Sequence, residues 1–242
     1  MKDQIRIITT GEIGHNLGDA ISSIWEMSMI EAASSWRTEK VVLIHGFASS
    51  RWWLLRLQRS LQAAGFATQS YGYVTLIGDI EAYAQRFAAL LRQLDQDESL
   101  GRLHLVAHSM GGVVVRRALQ LYRPARLGRV VFMASPHRGL YAGRFWGRLC
   151  RLLYCRAVAQ MSDDAGSYVN SLAAPDFEFA VISAAHDHLV TVESAELAGY
   201  ADRRIYPTMH TMLLLRRDVA EDVCHYLKHG RFLEISLTKD ER

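Results

Sequence analysis

The chain is short of cysteine and proline, and it contains no long apolar run. Its three cysteines, Cys150, Cys155 and Cys224, are odd in number and irregularly spaced. That excludes a disulfide framework, and no Cys-x-x-Cys pair offers a metal knuckle. Reduced thiols in a cytosolic protein are the expectation, with a 150–155 bridge as the alternative. Four prolines in 242 residues build no linker, and there is no repeat or low-complexity tract, so a single domain over 1–242 is expected. No stretch approaches the roughly 20 apolar residues needed to cross a bilayer; the apolar segment 20–33 is broken by Glu26 and Glu31. The first residues lack the apolar core and cleavage site of a signal peptide. An excess of one charge is also missing: 28 basic against 25 acidic side chains leave +3, too little for a dedicated nucleic-acid binder. These absences predict a cytoplasmic protein, soluble or at most peripheral at the inner face of the membrane.

What the chain does contain is alternation. A nearly unbroken apolar run at 40–45 suits a parallel strand buried on both faces. A helix-like stretch opens at Trp52 and ends near Gly65, and a strand follows over 66–71. Ile80, Tyr83, Ala84, Phe87, Leu91 and Leu94 recur at helical spacing over 79–96. Further strands are predicted at 103–107, 129–134, 177–183 and 203–206, with helices over 111–122 and 211–228. This pattern predicts an α/β fold with a mainly parallel central sheet and helices on both faces. Residues 1–38 fit less well, with a strand near 5–9 and a helix near 18–34.

Open α/β sheets carry their reactive groups at the carboxyl ends of the strands. The first strand is followed by His45-Gly46-Phe47, and the one at 103–107 by His108-Ser109-Met110-Gly111. The last two are followed by His186-Asp187-His188 and Met209-His210-Thr211. In "LVAHSMGGVVV", Ser109 sits between a buried strand and a helix, with small Ala107 two residues before it and Gly111 two after. A strand–turn–helix elbow of this kind holds a nucleophile in strained backbone and needs small neighbours. Its base is expected to be His210, because His104 lies within a strand, His225 and His229 belong to the terminal helix, and His15 has no context. The acid that fixes the base's tautomer is expected to be Asp187. Asp163 and Asp164 sit in a polar loop, and Asp176 precedes its strand. Backbone N–H groups of Phe47 and Met110 are the expected oxyanion donors, with Gly46 allowing close approach.

Taken together, "LIHGF", "AHSMGG", "SPHRG", "HDHLV" and "MHTML" resemble the α/β-hydrolase family and, within it, the lipase/esterase-like branch, over about residues 40–228. The resemblance implies an α/β-hydrolase fold with Ser109, Asp187 and His210 as triad and Phe47 and Met110 as oxyanion hole. "SPHRG" is similar to the Pro-His-x-Gly turn of lipases and of deacylases that trim lipid anchors. His45, Gly46, His108, Pro136 and His137 are accordingly expected at the substrate. Two features depart from the family: Ala107 stands where Gly is usual, and residues 1–38 lack the usual pair of leading strands.

The expected activity is hydrolysis of carboxylic esters, of lipid-like or acyl type, with no metal or organic cofactor. Thioester hydrolysis and acyl transfer use the same residues, and a non-catalytic binding module on the same fold is the reading from another class. A lid-like insertion is expected at 139–176. Within it, Arg144, Arg148 and Arg151 recur at helical spacing, with Phe145, Trp146, Leu149, Leu152 and Leu153 mostly on another face. Such a segment, 144–156, either packs its apolar side on the domain or meets an anionic membrane.

Overall fold

The computed structural model describes residues 38–140 and 156–234. The expected elements near 5–9 and 18–34, and the basic stretch up to residue 155, lie outside the described residues. Six strands form one sheet: β1 (Thr38–Ile44), β2 (Ala67–Tyr71), β3 (Leu100–His108), β4 (Leu127–Met133), β5 (Phe179–Ala184) and β6 (Asp202–Tyr206). Their spatial order is β2-β1-β3-β4-β5-β6, and every pairing is parallel.

Both faces of this sheet are covered, which explains the continuous apolar strands. Val42 and Ile44 of β1, Leu105 and Ala107 of β3, and Val130 and Phe132 of β4 pack with α2 (Ile80–Asp95) and α3 (Met110–Leu121). The alternating partners Val41, Leu43, Val106, Val131 and Met133 pack on the other side, with α1 (Leu55–Ala63) and α6 (Arg217–His229). Side chains alternate across a strand, so a strand sandwiched between helix layers must be apolar at successive positions. Asp79 caps α2 by accepting the Ala82 N–H at 2.8 Å. Gly230 ends α6 in the left-handed region at φ 76°.

Two elements differ from their sequence patterns. The single helix expected over 211–228 is two pieces, a 3-10 turn (Thr211–Leu215) and α6, separated by extended Arg216. The tighter turn lets the adjacent Leu213 and Leu214 both bury. Strand β3 starts at Leu100, earlier than expected, because Leu100 is buried and pairs with Thr38.

Of the insertion, residues 139–140 and 156–176 are described, with two short helices, α4 (Arg156–Gln160) and α5 (Tyr168–Ser171). Leu140 and Ser162 form an isolated parallel bridge. Buried Arg116 of α3 donates to the carbonyls of His137, Leu172 and Ala173. Among the described residues no helix is long and apolar enough to cross a membrane.

Candidate active site

Strand β1 is flanked by β2 on one side and β3 on the other. The winding direction of the sheet therefore reverses between β1 and β3, and ligands of open α/β sheets sit at the carboxyl ends of such a pair. Gly46 and Phe47 leave β1 at this point, and Ser109 leaves β3.

Ser109 has φ 55° and ψ −131°, a backbone conformation that costs a non-glycine residue about 1–3 kcal/mol. Its surroundings hold it there. The Ser109 N–H donates to Met133 O at 2.9 Å, and the Gly112 N–H donates to Ser109 O at 2.9 Å. The small neighbours are required: a Cβ on Gly111 would lie 2.8 Å from His45 O, and one on Gly112 would lie 2.1 Å from Ser135 Oγ.

Two loops on the far side of the crevice bring Asp187 and His210 together. The His186 N–H donates to Thr208 O at 3.0 Å, tying the loop after β5 to the loop after β6. Asp187 Oδ2 lies 2.6 Å from His210 Nδ1, and Oδ1 accepts the N–H groups of Leu189 and Val190 at 2.9 and 2.8 Å. Burial opposes ionisation of this carboxyl, but the bond from His210 and the two backbone donors outweigh it, so its pKa is lowered. The imidazole thus carries a proton on Nδ1, which leaves Nε2 as the acceptor.

Ser109 and His210 line one cavity of about 630 Å³. Its other walls are largely apolar, including Trp53, Leu140, Val158, Met161, Leu189 and Met212. Among the described residues the Ser109 hydroxyl makes no hydrogen bond; nucleophile–base contacts often tighten only when substrate arrives. Phe47 lines the same cavity, and the Met110 N–H opens α3 directly after Ser109. Among the described residues neither backbone N–H donates to a protein acceptor.

The residues expected at the substrate divide. Gly46 and His108 line the cavity, whereas His45, Pro136 and His137 do not. His45 is buried and stacks on Tyr73 at 4.8 Å. Pro136 and His137 are buried behind the elbow, where His137 meets Phe132 at 4.6 Å and Arg116 holds its carbonyl. His108 turns its ring away from solvent, with Nε2 3.3 Å from His210 O. Burial, helped by nearby His210, pushes its pKa down to about 3, so the ring is neutral and its Nε2–H supports the histidine loop.

The apolar walls from Leu140, Val158 and Met161 are not legible in the sequence, because periodicity within an insertion does not say which part of the sheet its path crosses. Trp53, Leu189 and Met212 stand beside motifs that were read, and apolar residues at strand ends mark such walls.

Among solved structures, the chain is similar to the mature form of the Bacillus licheniformis lipase BlEst2, with 15% identity, a TM-score of 0.58, and coverage of 73% of this chain and 86% of that one. Aspergillus fumigatus lipase B aligns at 13% identity and a TM-score of 0.65 over 81% of this chain and 54% of that one. The RedJ thioesterase of Streptomyces coelicolor aligns at 15% identity and 0.56, covering 80% and 86%. At such identities the likeness is one of fold. No curated protein sequence matches the chain. A family model described as the alpha/beta hydrolase family matches residues 41–234, most of the chain and all the strand ends described above, so the protein belongs to the alpha/beta hydrolase family.

Proposed function

We propose that the protein is a serine hydrolase of carboxylic esters bearing an apolar acyl group, with Ser109 as nucleophile, His210 as base and Asp187 as its orienting acid. The observation that carries this reading is the His210–Asp187 pair at 2.6 Å, facing the same apolar cavity as a serine held in strained backbone. His210 Nε2 takes the Ser109 proton as Oγ attacks the ester carbonyl. The N–H groups of Phe47 and Met110 stabilise the resulting oxyanion. Collapse breaks the C–O bond as His210 protonates the departing alcohol, and water activated by the same imidazole then cleaves the acyl-enzyme. The route needs neither metal nor organic cofactor. Apolar walls with few polar groups suit an acyl chain rather than a charged or sugar-like moiety.

The test is turnover of p-nitrophenyl esters from short to long acyl chains, with and without detergent micelles, combined with fluorophosphonate labelling. Wild-type protein is expected to turn over esters and to label at Ser109. Ser109→Ala is expected to lose at least about 1,000-fold in kcat while keeping its circular dichroism. A wild-type chain that neither labels nor turns over any ester is a binding module, and the reading fails.

A further inference from the structure

The Phe47 N–H belongs to a run of three peptide units, and each is tied down by a different side chain. The His45–Gly46 unit presents its carbonyl to the Tyr73 hydroxyl, which donates at 2.9 Å. The Gly46–Phe47 unit, whose N–H is the oxyanion donor, offers its carbonyl to His45 Nδ1 at 2.9 Å. The Phe47–Ala48 unit donates its Ala48 N–H to Thr75 Oγ1 at 3.0 Å. In a trans peptide the C=O and N–H point in opposite directions. Holding the Gly46 carbonyl therefore sets the direction of the Phe47 N–H. Because a carbonyl only accepts, the His45 ring carries its proton on Nδ1.

Tyr73 and Thr75 belong to the segment that leaves β2, the strand beside β1. Neither lines the cavity, so neither touches substrate there. We infer that Tyr73 and Thr75 are positioning residues that hold the 45–48 loop at His45 and at Ala48 respectively, so that the Phe47 N–H is aimed at the developing oxyanion before substrate binds. This rests on the reading of Ser109 as nucleophile and Phe47 as oxyanion donor.

Three further observations support it. Ala48 has φ 48°, a strained conformation for a residue with a Cβ, and such backbone persists only where its neighbours hold it. Thr75, which receives its N–H, is 4% exposed, so water does not readily replace that bond. The Tyr73 ring is fixed independently of its hydroxyl, stacked on His45 at 4.8 Å and Tyr71 at 5.5 Å and meeting Tyr83 edge-on at 5.1 Å. Removing the hydroxyl alone thus leaves the packing in place. Donors fixed in advance are effective because no reorganisation is needed as charge develops.

The experiment compares wild type, Tyr73→Phe, Thr75→Val and Thr75→Ser. The readouts are p-nitrophenyl butyrate kinetics, inhibition by butylboronic acid, and thermal melting. The boronate forms a tetrahedral adduct on the nucleophile and puts an oxygen in the oxyanion site, so its affinity reports the aim of the donor. Tyr73→Phe and Thr75→Val are expected to lower kcat by about tenfold to a hundredfold, to leave KM within about twofold, and to weaken the boronate by a factor similar to the kcat loss. Melting is expected to stay close to wild type, and Thr75→Ser, which keeps the acceptor oxygen, is expected to recover most of kcat. An active wild type whose Tyr73→Phe and Thr75→Val variants keep full kcat and boronate affinity overturns the clamp alone. So does a rise in KM without loss of kcat, or a Thr75→Ser variant no better than Thr75→Val. A wild type inert to ester and to fluorophosphonate alike overturns the hydrolase reading and the clamp with it.

Discussion

Gly46 measures how little room surrounds Ser109. A Cβ placed on it would come within 2.6 Å of Ser109 Cβ, closer than Cβ atoms approach in real proteins, and 3.0 Å from Ser109 Oγ. Gly46→Ala is therefore expected to displace the hydroxyl and cut ester turnover by about 100-fold or more, with circular dichroism unchanged; an alanine variant of normal activity would show that the elbow yields. The same crowding made Ser109 legible in the sequence, since small residues at 107 and 111 answer a steric demand that the polypeptide states locally. His45 was less legible. Its place at a strand end predicts a substrate contact, but the ring folds back on its own loop, and only the position of Tyr73 reveals that. Tyr73 and Thr75 follow β2 as Gly46 follows β1, so the strand-end rule applied to "YGYVT" points to them too.

Between elements, the most informative contact is Glu81, in the first turn of α2. Arg117 of α3 donates to both its oxygens, at 2.8 and 3.1 Å, and the Tyr168 hydroxyl of α5 donates at 2.6 Å. These bonds, Arg117 first, hold the carboxyl at about 2 against an ordinary 4.5. A carboxyl with a lowered folded pKa stabilises the fold above its unfolded pKa, and that contribution disappears as pH falls through the folded value. Glu81→Gln is accordingly expected to destabilise by about 1 kcal/mol at pH 7, a modest figure because the pair is partly exposed. The gap from wild type should narrow between pH 4.5 and 2; a gap that persists in acid would assign the effect to packing. Helices and strands with strong periodicity, such as α2 and β1, were readable from the sequence. The break at Arg216 was not, because a 3-10 turn and an α-helix present nearly the same apolar spacing over five residues.

For the molecule as a whole, three of the four imidazoles buried among the described residues sit far below the ordinary histidine range. Burial is the main cause in each case and pushes His104 down to about 4 and His108 and His137 to about 3. All three are neutral in the folded state at pH 6, whereas the unfolded chain protonates them near 6.5. Below that value the unfolded state binds more protons, so stability falls as pH drops toward the folded values, by as much as about 1.4 kcal/mol per pH unit for each ring. Urea unfolding at pH 7.5, 6 and 5 should show a steep decline before most carboxyls titrate; a flat profile would mean the rings find water or partners. The overall architecture was legible because parallel strands buried on both faces announce themselves. The apolar cavity was not, because its walls converge from distant stretches.

Arg116 binds carbonyls at both ends of the insertion, His137 just before it and Leu172 and Ala173 in its closing stretch. A single guanidinium thereby fastens the two stumps from which the intervening chain departs. Between those two anchors the described chain supplies Leu140, Val158 and Met161 to the cavity wall and Tyr168 to Glu81, so one arginine of α3 pins both ends of the segment that walls the cavity.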